Sequence, residues 1–206
     1  MRSLTLALLA ALAAPLAAQP LPVNASAEAR TEGFFVSPRL YAASLTLEDA
    51  DEADGGGGLG LRLGYGFNKT VAVFVAFEGA GIDPGEDGIL GLDEDYGLGS
   101  FDLGAQFSLL PSSAVNPFLR VGLNGTGAVI DVDNVDSDDD PRLTGGGLTL
   151  GGGAEFRLSD TLGLEAALDL TGGQFNEIEG FGFSTTNFDE IDFGTARLGL
   201  GLVWRP

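Results

Sequence analysis

The sequence contains no cysteine and no histidine, and it has one lysine and one tryptophan in 206 residues. Without cysteine there is no disulfide framework and no thiolate nucleophile or metal ligand. Without histidine there is no Ser-His-Asp triad, no Cys-His pair and no zinc site of the ordinary kind. Carboxylate chemistry is what remains, with Glu155, Glu165 and Asp169 as the residues available for it, and ion pairing is the simpler role for each. Basic charge is also scarce. Ten basic residues stand against 30 acidic ones, for a net charge of −20, which excludes a phosphate backbone as partner. No stretch reaches the roughly 20 apolar residues that a membrane-spanning helix needs.

Met1-Arg2, the apolar run Leu4 to Leu12 and the small residues Ala13 to Ala18 read as a secretory signal peptide over residues 1–18. A short N-terminal segment, 19–32, then leads into one domain over 33–206.

Within that domain eight segments alternate apolar and non-apolar residues with period two, the mark of a strand with two unlike faces. Leu59, Leu61, Leu63, Tyr65 and Phe67 share one face, opposite Gly60, Arg62, Gly64 and Gly66. Phe101, Leu103, Ala105, Phe107 and Leu109 oppose Ser100, Asp102, Gly104, Gln106 and Ser108. Ala196, Leu198, Leu200, Leu202 and Trp204 oppose Thr195, Arg197, Gly199, Gly201 and Val203. The first strand, around Phe34 to Thr46, is less regular: Leu45 and Leu47 fall out of phase with Val36, Leu40 and Ala42, and Pro38 suggests a bulge or irregular start.

Connections alternate in length. Asn68-Lys69-Thr70, Ser159-Asp160-Thr161 and the stretch 110–117 are short, whereas 47–56, 82–95, 130–142 and 174–192 are long. The long ones hold 22 of the 30 acidic residues and only Arg142 as a counter-charge. Short turns at one end and long loops at the other fit an eight-stranded antiparallel up-and-down transmembrane β-barrel, with turns in the periplasm and loops outside.

The apolar faces carry no charge. The opposite faces carry Arg39, Arg62, Arg120, Arg157 and Arg197 against Glu78, Asp102, Glu155, Glu165 and Asp169, five of each sign. That balance suits a narrow lumen whose buried charges must pair, with the apolar face in lipid. A soluble, lipocalin-like periplasmic barrel is the alternative, but its outer face would be dense in Lys, Glu, Thr and Gln. Phe67, Phe107, Phe156 and Trp204 near the short turns, and Phe77, Tyr96, Phe101, Phe175 and Phe193 near the long loops, suggest two aromatic girdles.

From Gly33-Phe34-Phe35-Val36 to Gly199-Leu200-Gly201-Leu202-Val203-Trp204-Arg205 the chain resembles the small outer-membrane β-barrel family of OmpA/OmpX type. The resemblance implies residence in the bacterial outer membrane with lipid as the main partner. Members usually end on an aromatic residue; here Trp204 would take that part, ahead of Arg205-Pro206.

The acidic run with Asp131, Asp133, Asp136, Asp138 and Asp140 is a weak divalent-cation candidate. It fails the EF-hand pattern, with Asp136 where glycine is required and Arg142 where glutamate is. The glycine runs 55–58, 145–147 and 151–153 precede no helix and are not phosphate cradles. The expectation is a non-enzymatic, monomeric outer-membrane protein without cofactor. Its role would be structural or in surface interaction through acidic loops, with a narrow gated ion channel as the alternative.

Overall fold

The computed structural model describes residues 31–47, 53–84, 95–130, 141–180, 183–185 and 191–206. Eight long strands close into a barrel: β1 (Gly33–Leu47), β2 (Asp54–Gly66), β3 (Val71–Asp83), β4 (Tyr96–Ser108), β5 (Val115–Ile130), β6 (Arg142–Arg157), β7 (Leu162–Gly180) and β9 (Ile191–Trp204). A three-residue strand, β8 (Phe183–Thr185), pairs only with the far end of β7 and stands outside the ring. Each ring strand pairs antiparallel with the next ring strand, β7 with β9 included, and β1 closes on β9. Closure removes every edge from the ring, the condition for a sheet to sit in lipid.

Side-chain polarity decides which turns stay tight. Asn68 Oδ1 accepts hydrogen bonds from the Thr70 and Val71 amides, at 2.8 and 2.9 Å. Ser159 Oγ does the same for Thr161 and Leu162, at 3.3 and 3.1 Å. Both are local side-chain turns of the kind Asn and Ser favour.

The out-of-phase residues of β1 have a different cause from the one the pattern suggests. Register against β2 runs unbroken from Gly33↔Gly66 to Leu45↔Asp54, so there is no bulge at Pro38. Pro38 faces outward. Pairing with β9 lapses at Ser37 and Pro38 but resumes in the same register, from Val36↔Trp204 to Arg39↔Gly201. Leu45 is fully buried on the lumen side, in phase with Tyr41 and Ala43. The one register shift along β6 and β7 lies where Thr144 opposes Glu177 but Gly145 opposes Phe175, leaving Asn176 as the extra residue. The fourth long connection is correspondingly shorter than 174–192, because β7 continues to Gly180 and turns back through β8.

The outer wall is apolar. Among the described residues 25 large apolar side chains are exposed, Leu59 at 66% and Leu40 at 64% among them, far beyond the patches that water-soluble monomers tolerate. A charge at the middle of this wall is therefore costly. Leu200→Arg is expected to lower stability in a bilayer by about 2–4 kcal/mol, measured by urea titration of the vesicle-embedded protein. An unchanged midpoint would contradict the lipid-facing assignment.

At the short-turn end Phe67, Phe107 and Trp204 are outward and exposed, and Phe156, on the same face of β6, is half-buried. At the other end only Phe77 and Phe101 face out, with ring centroids 5.2 Å apart. Tyr96, Phe175 and Phe193 point inward and are buried, so three of the five aromatics expected there belong to the interior.

Candidate functional site

Inward-facing residues sort into three tiers along the barrel axis. Toward the short turns Phe35, Phe74, Ala76 and Val203 form a small apolar cluster. Near that end Arg205 donates from Nη1 and Nη2 to the two carboxylate oxygens of Glu155, at 2.5 and 2.8 Å.

The middle tier is a continuous chain of charges. Arg62 and Arg120 share the carboxylate of Glu165. Arg120 also lies 3.7 Å from Asp169. Arg39 then bridges Asp169 at 2.8 Å and Glu78 at 3.0 Å, and Arg197 joins Glu78 at 2.6 Å to Asp102 at 2.9 Å. Positive and negative groups alternate along all eight, and no side chain among them is more than 6% exposed.

Seven strands supply these charges, and β6 supplies Thr149, whose hydroxyl donates to Asp102 at 2.6 Å. The arginines are held further by neutral groups. Arg197 donates to Ser100 at 2.8 Å and Thr171 at 2.9 Å. Arg120 Nε donates to Gln106 at 2.9 Å, and its guanidinium sits 4.3 Å from the ring centre of Phe118. The void left at this level is about 10 Å³, room for one water at most.

Glycine in the wall makes this density attainable. A Cβ on Gly151 would lie 2.0 Å from Asp169 Oδ1. Gly151→Val is therefore expected to cost about 1–3 kcal/mol through overpacking, checked by the shift in unfolding midpoint. A neutral result would mean that Asp169 can move aside.

The third tier, toward the long loops, is apolar. Tyr41, Leu45, Ile82, Tyr96, Phe175 and Phe193 belong to one buried cluster, with the Phe175 and Phe193 ring centroids 4.5 Å apart. Tyr96 is anchored by its hydroxyl, which donates to Asp54 Oδ2 at 3.0 Å.

All ten lumen charges named from the alternation are inward and buried. Eight are brought into one network. Glu155 pairs instead with Arg205, while Arg157 donates to the Pro111 carbonyl. Two functional residues were missed. Arg205 continues the odd-numbered face of Arg197, Gly199, Gly201 and Val203, so the same period two would have found it. Asp54 was grouped with the loop acids, but it opens β2 and is 3% exposed. Asp131, Asp133, Asp136, Asp138 and Asp140 lie outside the described residues.

Glu155, Glu165 and Asp169 are each clamped by arginine, with no substrate-sized space at the network. No cluster of three or more potential metal ligands occurs among the described residues. What the arrangement does is tie the strands together and fill the passage.

The sequence profile of the outer membrane protein beta-barrel domain family matches residues 4–203. No curated protein matches the chain in sequence. Among solved structures, Neisserial surface protein A is similar at a TM-score of 0.66 and 16% identity, covering 85% of this chain and 98% of that one. OprG from Pseudomonas aeruginosa gives 0.53 at 16% identity, covering 87% and 99%. Ail, the attachment invasion locus protein of Yersinia pestis, gives 0.51 at 17% identity, covering 84% and 100%. At such identities the likeness concerns the fold alone.

Proposed function

The chain belongs to the outer membrane protein beta-barrel domain family, and from that premise we propose that it is a non-enzymatic, monomeric anchor that displays acidic loops outside the cell. It is an outer-membrane β-barrel, and lipid contacts its apolar wall. The soluble, lipocalin-like alternative is not favoured, because the charges line the interior and the large apolar residues cover the exterior.

One observation carries the anchor reading: among the described residues the lumen is filled at two successive levels. An alternating chain of eight charges occupies its middle and an apolar cluster its mouth. A conducting pore would have to break both. The activity is thereby left to the loops, whose net negative charge would draw divalent cations and, through them, anionic surfaces. In this reading residues 1–18 are the export signal, 19–32 a short lead-in, and the short turns face the periplasm.

Planar-bilayer recording tests the closed lumen. The expected result is no discrete openings in the native protein or in Arg62→Met and Glu78→Gln variants. Resolved single-channel steps in the native protein would replace the anchor by the gated channel. Protease added to intact cells tests the orientation: cleavage is expected in the long loops with the barrel core retained, and protection of all four would reverse it.

A further inference from the structure

Follow the outward-facing residues of each strand from the short turns toward the long loops. Four or five apolar positions come first, interrupted in β6 by Gly152, then a switch. In β2 the row Tyr65, Leu63, Leu61, Leu59 gives way to Gly57, and in β4 the row Phe107, Ala105, Leu103, Phe101 gives way to Gly99. The same change occurs at Gly79, Gly125, Gly146, Gly172 and Gly194, and at Ser44 in β1. Gly79 opposes Gly99, Gly125 opposes Gly146, and Gly172 opposes Gly194, so the glycines form a ring around the outside of the barrel.

Neither crowding nor backbone strain accounts for most of the ring. A Cβ on Gly79, Gly125 or Gly172 would meet nothing within 4 Å and one on Gly57 or Gly99 only ordinary contacts, whereas Gly146 and Gly194 are tighter, at 3.3 Å from the Asn124 carbonyl and 2.8 Å from Thr46 Oγ1; the positive φ among the described glycines belongs to Gly33. On the β3–β6 side the missing side chains leave an open outer recess of about 640 Å³. A strand facing lipid is stabilised by burying bulky apolar groups there, and glycine contributes none.

Inside the barrel the change runs the other way. At the level of the ring the charged lumen ends and the buried cluster of Tyr41, Leu45, Ile82, Tyr96, Phe175 and Phe193 begins. Bare or polar outside with apolar inside is the pattern of a sheet standing in water.

From this double inversion we infer that the bilayer ends at the glycine ring. The strand ends beyond it form a collar that stands in water with its own apolar core. The length agrees. Nine residues, Trp204 to Ala196, rise ~3.3 Å each and tilt by about 40°, so they span about 20 Å, against the ~25 Å apolar band usual in such barrels. The outward Phe77–Phe101 pair then lies at the lipid boundary, where aromatic girdles sit. The strand ends that carry the long loops consequently form a packed platform held clear of the lipid surface. This rests on the membrane assignment.

The absence of cysteine makes the test direct. Single cysteines at Leu103 and Val121 (apolar band), Gly99 and Gly125 (ring), and Gly97 and Gly127 (collar) are labelled with an environment-sensitive fluorophore. The four glycines leave room for a side chain, with the nearest atom at 3.5 Å or more where one is present at all. The labelled proteins are folded into phosphatidylcholine vesicles, and heat-modifiable gel mobility confirms closure. Emission at 103 and 121 is expected to be blue-shifted, quenched by nitroxide-bearing lipid and protected from iodide. At 97 and 127 it is expected to be red-shifted and open to iodide, with the crossover at 99 and 125. Lipid-type emission at 97 and 127 would overturn the boundary while leaving the membrane assignment intact. Aqueous emission at 103 and 121 as well would overturn both.

Discussion

Glu165→Gln is expected to lower the stability of the folded barrel by about 3–5 kcal/mol. The side chain is 2% exposed, and its carboxylate is shared by Arg62 and Arg120. Glutamine keeps the shape and removes the charge, so two buried guanidiniums lose their common partner. Arg120 retains one more distant carboxylate, Asp169 at 3.7 Å, beside its hydrogen bond to Gln106 and its contact with the Phe118 ring. Arg62 retains its contacts with the Phe35 and Phe74 rings, each 5.6 Å from the guanidinium carbon, which offset little of a buried charge. Urea unfolding in vesicles, followed by the single tryptophan Trp204, reads the loss. Adding Arg62→Met should recover part of it, because deleting a buried pair together costs less than breaking it. A single variant within about 1 kcal/mol of the native protein would mean that the network contributes little, since surface-type ion pairs are worth no more than that.

The fold was legible because period two carries through the strands. In β9 the odd-numbered residues face in and the even-numbered face out from Phe193 to Trp204, and one charged residue, Arg197, identifies the inner face. The same rule applied to its end would have placed Phe175 with Glu165 and Asp169, and Phe193 with Arg197. Position along the strand suggests a lipid-facing girdle for both, but parity decides which way each ring points. Leu45 looked out of phase for a related reason. An apolar residue on the charged face contradicts a two-colour pattern only if the lumen has one character throughout, and it has three tiers.

Which charges meet was not legible. Glu165 reaches Arg62 from 103 residues away in sequence, and Arg39 reaches Asp169 across 130. These partners are chosen by strand tilt and stagger around a closed ring, geometry that the alternation of one strand does not contain. Equal numbers of each sign imply pairing, but the pairing itself depends on closure. Arg205 shows the limit of such counting. It adds a sixth inward arginine to the five and takes Glu155 for itself, so the balance holds within the linked eight while the short-turn end carries a surplus cation.

The upper tier supplies the second large effect. Phe175→Ala is expected to cost about 3–5 kcal/mol, the range for truncating a buried phenylalanine whose surroundings relax only in part. Phe175 has no exposure, Phe193 only 4%, and Leu45 and Ile82 beside them 0% and 1%. The hole would open inside a packed cluster with closed barrel wall on all sides. Phe101→Ala is the comparison that gives the number meaning. Its ring is 41% exposed on the outer wall, where lipid can flow into the space vacated, so its loss should be clearly smaller. Both variants are read by the same urea titration, with the signal from Trp204 at the opposite end of the barrel. Were Phe175 a girdle residue facing lipid, the two truncations would have similar effects. Equal shifts would therefore remove Phe175 from the interior and the apolar seal from the mouth. A large shift for Phe175 alone would place the seal where the packing puts it, with folding of the lumen dependent on it.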